Sequence, residues 1–109
     1  MTALNKGIEV HVCTDIGRIE NVRISPEYWA NSGLPGAPSL EDVTAYTRAN
    51  GTGYQMHRSD WEYVSYLYIS GYKTGVWIGR EPGFADAPNA QLYEVHVGDC
   101  GNGLYVEDV

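Results

Sequence analysis

Two stretches of this chain alternate apolar and polar side chains strictly, and both pass through the same four residues, Glu-Val-His-Val. In the first, Gly7 to Thr14, the residues Ile8, Val10 and Val12 fall on one side and Glu9, His11 and Cys13 on the other. The second runs from Gln91 to Gly98. A period of two is the mark of a half-buried strand, so the valines point to the core and the Glu/His side faces solvent. Turn residues follow each stretch. Asp15-Ile16-Gly17 comes after the first, and Asp99 to Gly103, containing Asn102-Gly103, after the second; Asn-Gly is the strongest short hairpin signal. Residues 18–25 then read as a returning strand in which Ile19 is out of phase with Val22 and Ile24, which implies a bulge. Leu104 to Glu107 close the second hairpin. Neither hairpin is stable alone, so both are expected in one sheet.

Helix signals lie between the hairpins. Ser25-Pro26-Glu27 offers a cap, a first-turn proline and an acid, starting one or two turns through Trp29. Residues 31–38 hold two Gly and two Pro, so they form a loop. Residues 39–50 give the clearest helix. Ser39 caps it, with Asp42 three positions on, Glu41 and Asp42 at the positive end of the dipole and Arg48 near the negative end. Leu40, Val43 and Thr47 make its stripe, with Tyr46 beside it, and Asn50-Gly51 predicts a left-handed stop. Residues 59–70 carry conflicting signals. Ser59-x-x-Glu62 and Gly71 read as helix start and stop, whereas Tyr63 to Ile69 is rich in strand formers. The agreement of start and stop favours a helix. Residues 75–80 predict a short strand and 81–90 a loop. The expected fold is therefore a single α+β domain over residues 1–109, with a mainly antiparallel sheet built from the N- and C-terminal hairpins and one or two helices packed on one face.

Charge narrows the functional classes. Seven Lys and Arg stand against 14 Asp and Glu, and the basic residues (Lys6, Arg18, Arg23, Arg48, Arg58, Lys73, Arg80) are scattered. Phosphate backbones demand clustered cations, so direct nucleic-acid binding is not expected. No apolar run has the length of a signal or a membrane span, and two cysteines are too few for a disulfide framework; free thiols at Cys13 and Cys100 and a cytoplasmic location are the expectation. No phosphate loop, nucleophile elbow or dinucleotide fingerprint is present, and no cofactor is implied.

Nine Tyr and three Trp against one Phe give the chain amphipathic aromatics, which suit half-buried positions and recognition surfaces. They concentrate in Trp61, Tyr63, Tyr66, Tyr68, Tyr72 and Trp77, with Asp60 and Glu62 among them. Not all can point inward, and outward Tyr and Trp are what docking surfaces use. The reading this supports is a small acidic, non-enzymatic binding protein. It would dock on a larger protein with a basic surface, inhibiting or modulating it in the manner of an inhibitor or immunity protein, for example by covering a nucleic-acid-binding site; homodimerisation is compatible with the same surface. The first alternative uses the Glu/His face. If the hairpins share a sheet, Glu9, His11, Glu94 and His96 could converge as ligands for a transition metal or as an acid–base pair. The second is a carbohydrate-binding module on the tyrosines. His57 reads as a structural histidine.

Overall fold

The computed structural model describes residues 1–107, and every strand pairing in it is parallel. Its elements are β1 (Lys6–Val10), β2 (Cys13–Ile24), α1 (Glu27–Ala30), α2 (Leu40–Asn50), β3 (Thr52–Met56), β4 (Ser59–Ser70), β5 (Thr74–Ile78), β6 (Ala90–Gly98) and β7 (Asn102–Val106). Odd strands form one sheet in the order β1-β3-β5-β7, and even strands a second in the order β2-β4-β6. The chain therefore winds as a coil, crossing from one sheet to the other in each turn, and each strand pairs with its counterpart one turn on. This is solenoid topology, in which neighbouring turns bury one another.

The α+β content stands, but the antiparallel sheet and both terminal hairpins are overturned. β1 pairs with β3 and not with the strand that follows it, and β7 pairs with β5. The supposed hairpin turns are corners. Val12 and Asp99 adopt left-handed backbone (φ 46° and 50°) and carry the chain onward into the other sheet instead of folding it back. Asp15 to Gly17 lie inside β2, with an irregularity in register between Cys13 and Ile16. The two Glu-Val-His-Val copies lie in different sheets, one entering from β1 and the other within β6.

A different repeat carries the fold. Lys6-Gly-Ile-Glu-Val10, Thr52-Gly-Tyr-Gln-Met56, Thr74-Gly-Val-Trp-Ile78 and Asn102-Gly-Leu-Tyr-Val106 are stacked in register. Their third and fifth residues form two apolar columns, Ile8–Tyr54–Val76–Leu104 and Val10–Met56–Ile78–Val106. The second sheet answers with Ile19–Val64–Leu92, Val22–Leu67–Val95 and Ile24–Ile69–Val97. Apart from Leu92, Leu104 and Val106, which stay exposed, these columns together with Tyr72 form the core. The glycines permit the two sheets to meet. A Cβ on Gly53 would lie 2.5 Å from Ile69 Cγ2 and 3.0 Å from the Gly75 carbonyl, and the same would befall Gly7 against Ile24 and Gly75 against Val97.

Residues 59–70 are strand and not helix: the alternating burial of Val64, Leu67 and Ile69 outweighs the capping signal. Ser59 Oγ and Glu62 Oε1 do hydrogen-bond, at 3.3 Å, but as two buried side chains of one strand. The long even-numbered strands each turn at one level, where Asn21, Tyr66 and Glu94 all take left-handed backbone (φ 53–55°). The helices form the connection from β2 to β3. Ser39 caps α2 by accepting from the Asp42 amide, as the spacing predicts. Gly51 ends it in extended and not left-handed backbone, because Thr52 goes straight into β3. Thr47, fully buried, docks the helix on the adjacent corner by donating to the Gly71 carbonyl at 2.6 Å.

Two outcomes follow from this packing. Gly53→Ala should cost about 1–3 kcal/mol in chemical denaturation, as overpacking does, whereas Gly103→Ala, whose Cβ would meet nothing within 4 Å, should be near neutral. Equal costs would contradict the stacking. Burial also raises the pKa of Tyr54, Tyr72 and Cys100 above the ordinary phenol and thiol values of 10.0 and 9.0. Raised values contribute stability that is complete below the unfolded pKa and is lost as pH climbs through the folded one. The urea midpoint should fall from about pH 9 upward, and fall less in Tyr54→Phe, which also removes a hydroxyl buried without a hydrogen-bond partner among the described residues.

Candidate functional site

On the outer side of the first sheet, stacking aligns Glu9 with Gln55 and continues to His11 and His57 at the strand ends. The His11 and His57 rings stack at 4.3 Å with 14° between their planes. His11 lies between two carboxylates, with Nε2 2.7 Å from Glu9 Oε1 and Nδ1 2.5 Å from Glu81 Oε2. These hydrogen bonds, to Glu9 first and then Glu81, raise its pKa above the ordinary imidazole value. Bonds from Lys6 and His11 lower that of Glu9 in turn. His57 Nδ1 lies 2.8 Å from the Arg80 carbonyl, so it is the protonated nitrogen, donating there, and Nε2 faces the Gln55 carboxamide. One ligand atom each from Glu9, His11 and His57 lie within 4.8 Å of one another.

Half of the Glu/His set read from the sequence is thus assembled, with different companions. Glu94 and His96 lie on β6 in the other sheet, where they hydrogen-bond each other at 2.7 Å. Gln55, His57 and Glu81 take their place. The signal for two of these is a second copy of one pattern: Gly7-Ile-Glu-Val-His11 and Gly53-Tyr-Gln-Met-His57 match as Gly, apolar, Glu or Gln, apolar, His. Glu81 comes from the loop after β5 and had no local signal.

The aromatic residues disperse. Tyr72 is fully buried, its hydroxyl donating to the Ala3 carbonyl at 2.9 Å, and Glu62 is buried as well. Tyr68 is half-buried in a ladder between neighbouring strands: the Arg23 guanidinium lies 4.2 Å from its ring centroid, and the His96 ring stacks on it at 4.8 Å. Arg23 and His96 belong to the strands on opposite sides of β4, so both faces of the ring are taken. Arg18 lies over Tyr63 at 5.2 Å, and Trp61 meets Tyr63 edge-on. Trp77 meets Tyr105 edge-on, and its indole nitrogen is buried. Asp60 is exposed and pairs with Arg58 at 2.5 Å; Tyr66 is exposed and meets Tyr93 edge-on. A groove of about 530 Å³ beside the Arg23–Tyr68–His96 ladder is lined also by Glu27 and Tyr28. A sugar-stacking platform needs a free ring face, which Tyr68 does not have.

Among the described residues, burial is lost at β6 and β7. Val76 is 2 % exposed but Leu104, next in its column, is 59 %; Val64 is 1 % exposed and Leu92 is 39 %. Among the described residues, β6 and β7 each pair on one side only. Between them lies a depression of about 410 Å³ lined by Val76, Leu92, Val95, Val97, Gly103 and Leu104. At the other end, β1 and β2 carry Lys6, Glu9, Asp15, Arg18, Glu20 and Arg23, the mixed charges that guard an edge strand. Met1 there covers the end of β2, its amino group donating to the Arg23 carbonyl at 2.7 Å and its carbonyl accepting from the Ser25 amide.

Comparison with protein-family models, with curated proteins and with solved structures returns no match, so the functional reading rests on this chain's own geometry. No helix among the described residues is long and apolar enough to cross a membrane.

Proposed function

We propose that the chain is a non-enzymatic protein-binding module that engages its partner through the exposed apolar side chains and strand edges of β6 and β7. The observation that carries this reading is the loss of burial at the last turn, where side chains equivalent to core residues are left exposed beside two unpaired strand edges. An extended segment can add to such an edge by main-chain hydrogen bonds while its alternate side chains fill the apolar depression. Charge selects the partner. No Lys or Arg follows Arg80, and among the described residues Glu94 on β6, Asp99 at the corner after it and Glu107 after β7 are the acids of the last turn, Glu81 being held by His11. This surface favours a basic segment and repels a second copy of itself. A partner that uses the same basic surface to hold nucleic acid would be inhibited by the contact.

The test uses the full chain and a peptide of alternating valine and lysine, with valine–glutamate as the counterpart. The Val-Lys peptide should bind, its affinity should fall steeply with salt, and Leu104→Lys should abolish binding while leaving the fold intact, since Leu104 is 59 % exposed. Sedimentation should give a monomer. Equal binding of both peptides, indifference to Leu104→Lys, or a dimer dispersed by Leu104→Lys would overturn the reading.

A further inference from the structure

We propose that Glu9, Gln55, His11 and His57 form a binding site for a divalent first-row transition ion, with Zn²⁺ the best chemical fit. The site lies on the outer side of the first sheet and is independent of the docking surface.

The donor set comes from two adjacent parallel strands. Glu9 and Gln55 are register partners, and His11 and His57 follow each of them by two residues. Carboxylate, carboxamide oxygen and two imidazoles are ligands that suit Zn²⁺ in tetrahedral geometry. One nitrogen of each imidazole already has an outer oxygen partner. His57 Nδ1 is held by the Arg80 carbonyl at 2.8 Å and His11 Nδ1 by Glu81 Oε2 at 2.5 Å, both from one short segment. Holding Nδ1 with an outer oxygen fixes the tautomer and leaves Nε2 as the ligand, the arrangement that metal-bound histidines almost always show. Rings stacked at 4.3 Å and nearly parallel cannot both aim an in-plane lone pair at one ion, so binding turns the His11 ring, whose side chain is 41 % exposed, out of the stack and exchanges its 2.7 Å bond to Glu9 Oε1 for the metal.

A second observation points to a cation. Gln55 is 4 % exposed, and its Oε1 has no hydrogen-bond partner among the described residues, while its Nε2 faces His57 Nε2. An orphaned buried amide oxygen is costly. The oxygen and nitrogen of a carboxamide exchange by rotation about one bond. That rotation turns Oε1 toward His57 Nε2, where two lone pairs would oppose each other. A cation between them removes the repulsion and gives the oxygen its partner, while the carboxamide NH2 takes the buried position that Oε1 leaves. The bound ion would tie the first turn of the coil to the second, and through Arg80 and Glu81 to the loop before β6.

The test takes the full chain, stripped with a chelator and titrated with ZnCl2 by calorimetry, with CoCl2 as a spectroscopic probe. One equivalent should bind, and the melting temperature should rise. His11→Ala and His57→Ala should each weaken Zn²⁺ binding by more than about 100-fold, beyond the range of outer-shell changes. Glu81→Gln should weaken it less, acting through the His11 orientation, within the range of about 10–100-fold seen for outer-shell changes. His96→Ala, in the other sheet, should change nothing. The His57 side chain is 12 % exposed, so if His57→Ala fails to fold, His11→Ala, at 41 %, decides the matter. Absence of saturable binding of Zn²⁺ or Co²⁺, or binding that survives His11→Ala and is lost in His96→Ala, would overturn the assignment.

Discussion

The structure depends on how closely its two sheets approach at one edge. Gly7, Gly53 and Gly75 stack in one column, and Ile24, Ile69 and Val97 stack opposite them. A methyl group at Gly53 or Gly75 would press on a branched apolar side chain and on the backbone of the next turn. This contact sets the level of each turn and brings the apolar columns into register. The buried faces are then continuous from β1 to β5 and from β2 to β4. It also places Glu9 beside Gln55 and His11 against His57, so the outer cluster is a by-product of the same register.

A coil held by turn-on-turn contacts is only as satisfied as its neighbours make it. Its middle turns bury Leu67 and Tyr54 completely, while its last turn leaves Leu104 and Val106 half exposed or more. Among the described residues of that turn, exposed apolar side chains stand beside Glu94, Asp99 and Glu107, with Lys73 of the preceding turn next to Glu107. The tyrosines serve mainly between turns: Tyr68 is sandwiched by Arg23 and His96, and Tyr72 pins the N-terminal segment through Ala3. Tyr66 and Tyr93 meet edge-on across neighbouring strands and both remain exposed.

Much of the local structure was legible in the sequence. Alternation located β1 and β6, and Ser39 with Asp42 located the start of α2, because these signals are made within one element. Strand pairing was not legible from hairpin signals. Asn102-Gly103 sits at the start of β7 and continues the glycine column, and Asp99 turns a corner. Turn chemistry reports that the backbone changes direction but not whether the next strand lies beside the last one or one layer away. The informative repeat was the weaker one, Gly followed by apolar residues one and three positions later, shared by β1, β3, β5 and β7. Only its spacing across the whole chain distinguishes it from common strand composition. Reading Glu9 and His11 with Gln55 and His57 follows from that repeat, whereas Glu81 reaches the site from a loop that no local pattern places.

Both functional readings require parallel pairing between successive turns, and backbone NMR tests it directly. Cross-strand nuclear Overhauser contacts should link Glu9 to Gln55, Gln55 to Trp77 and Trp77 to Tyr105. Contacts joining residues 8–12 to residues 18–24 as an antiparallel hairpin, with none between Glu9 and Gln55, would contradict the account.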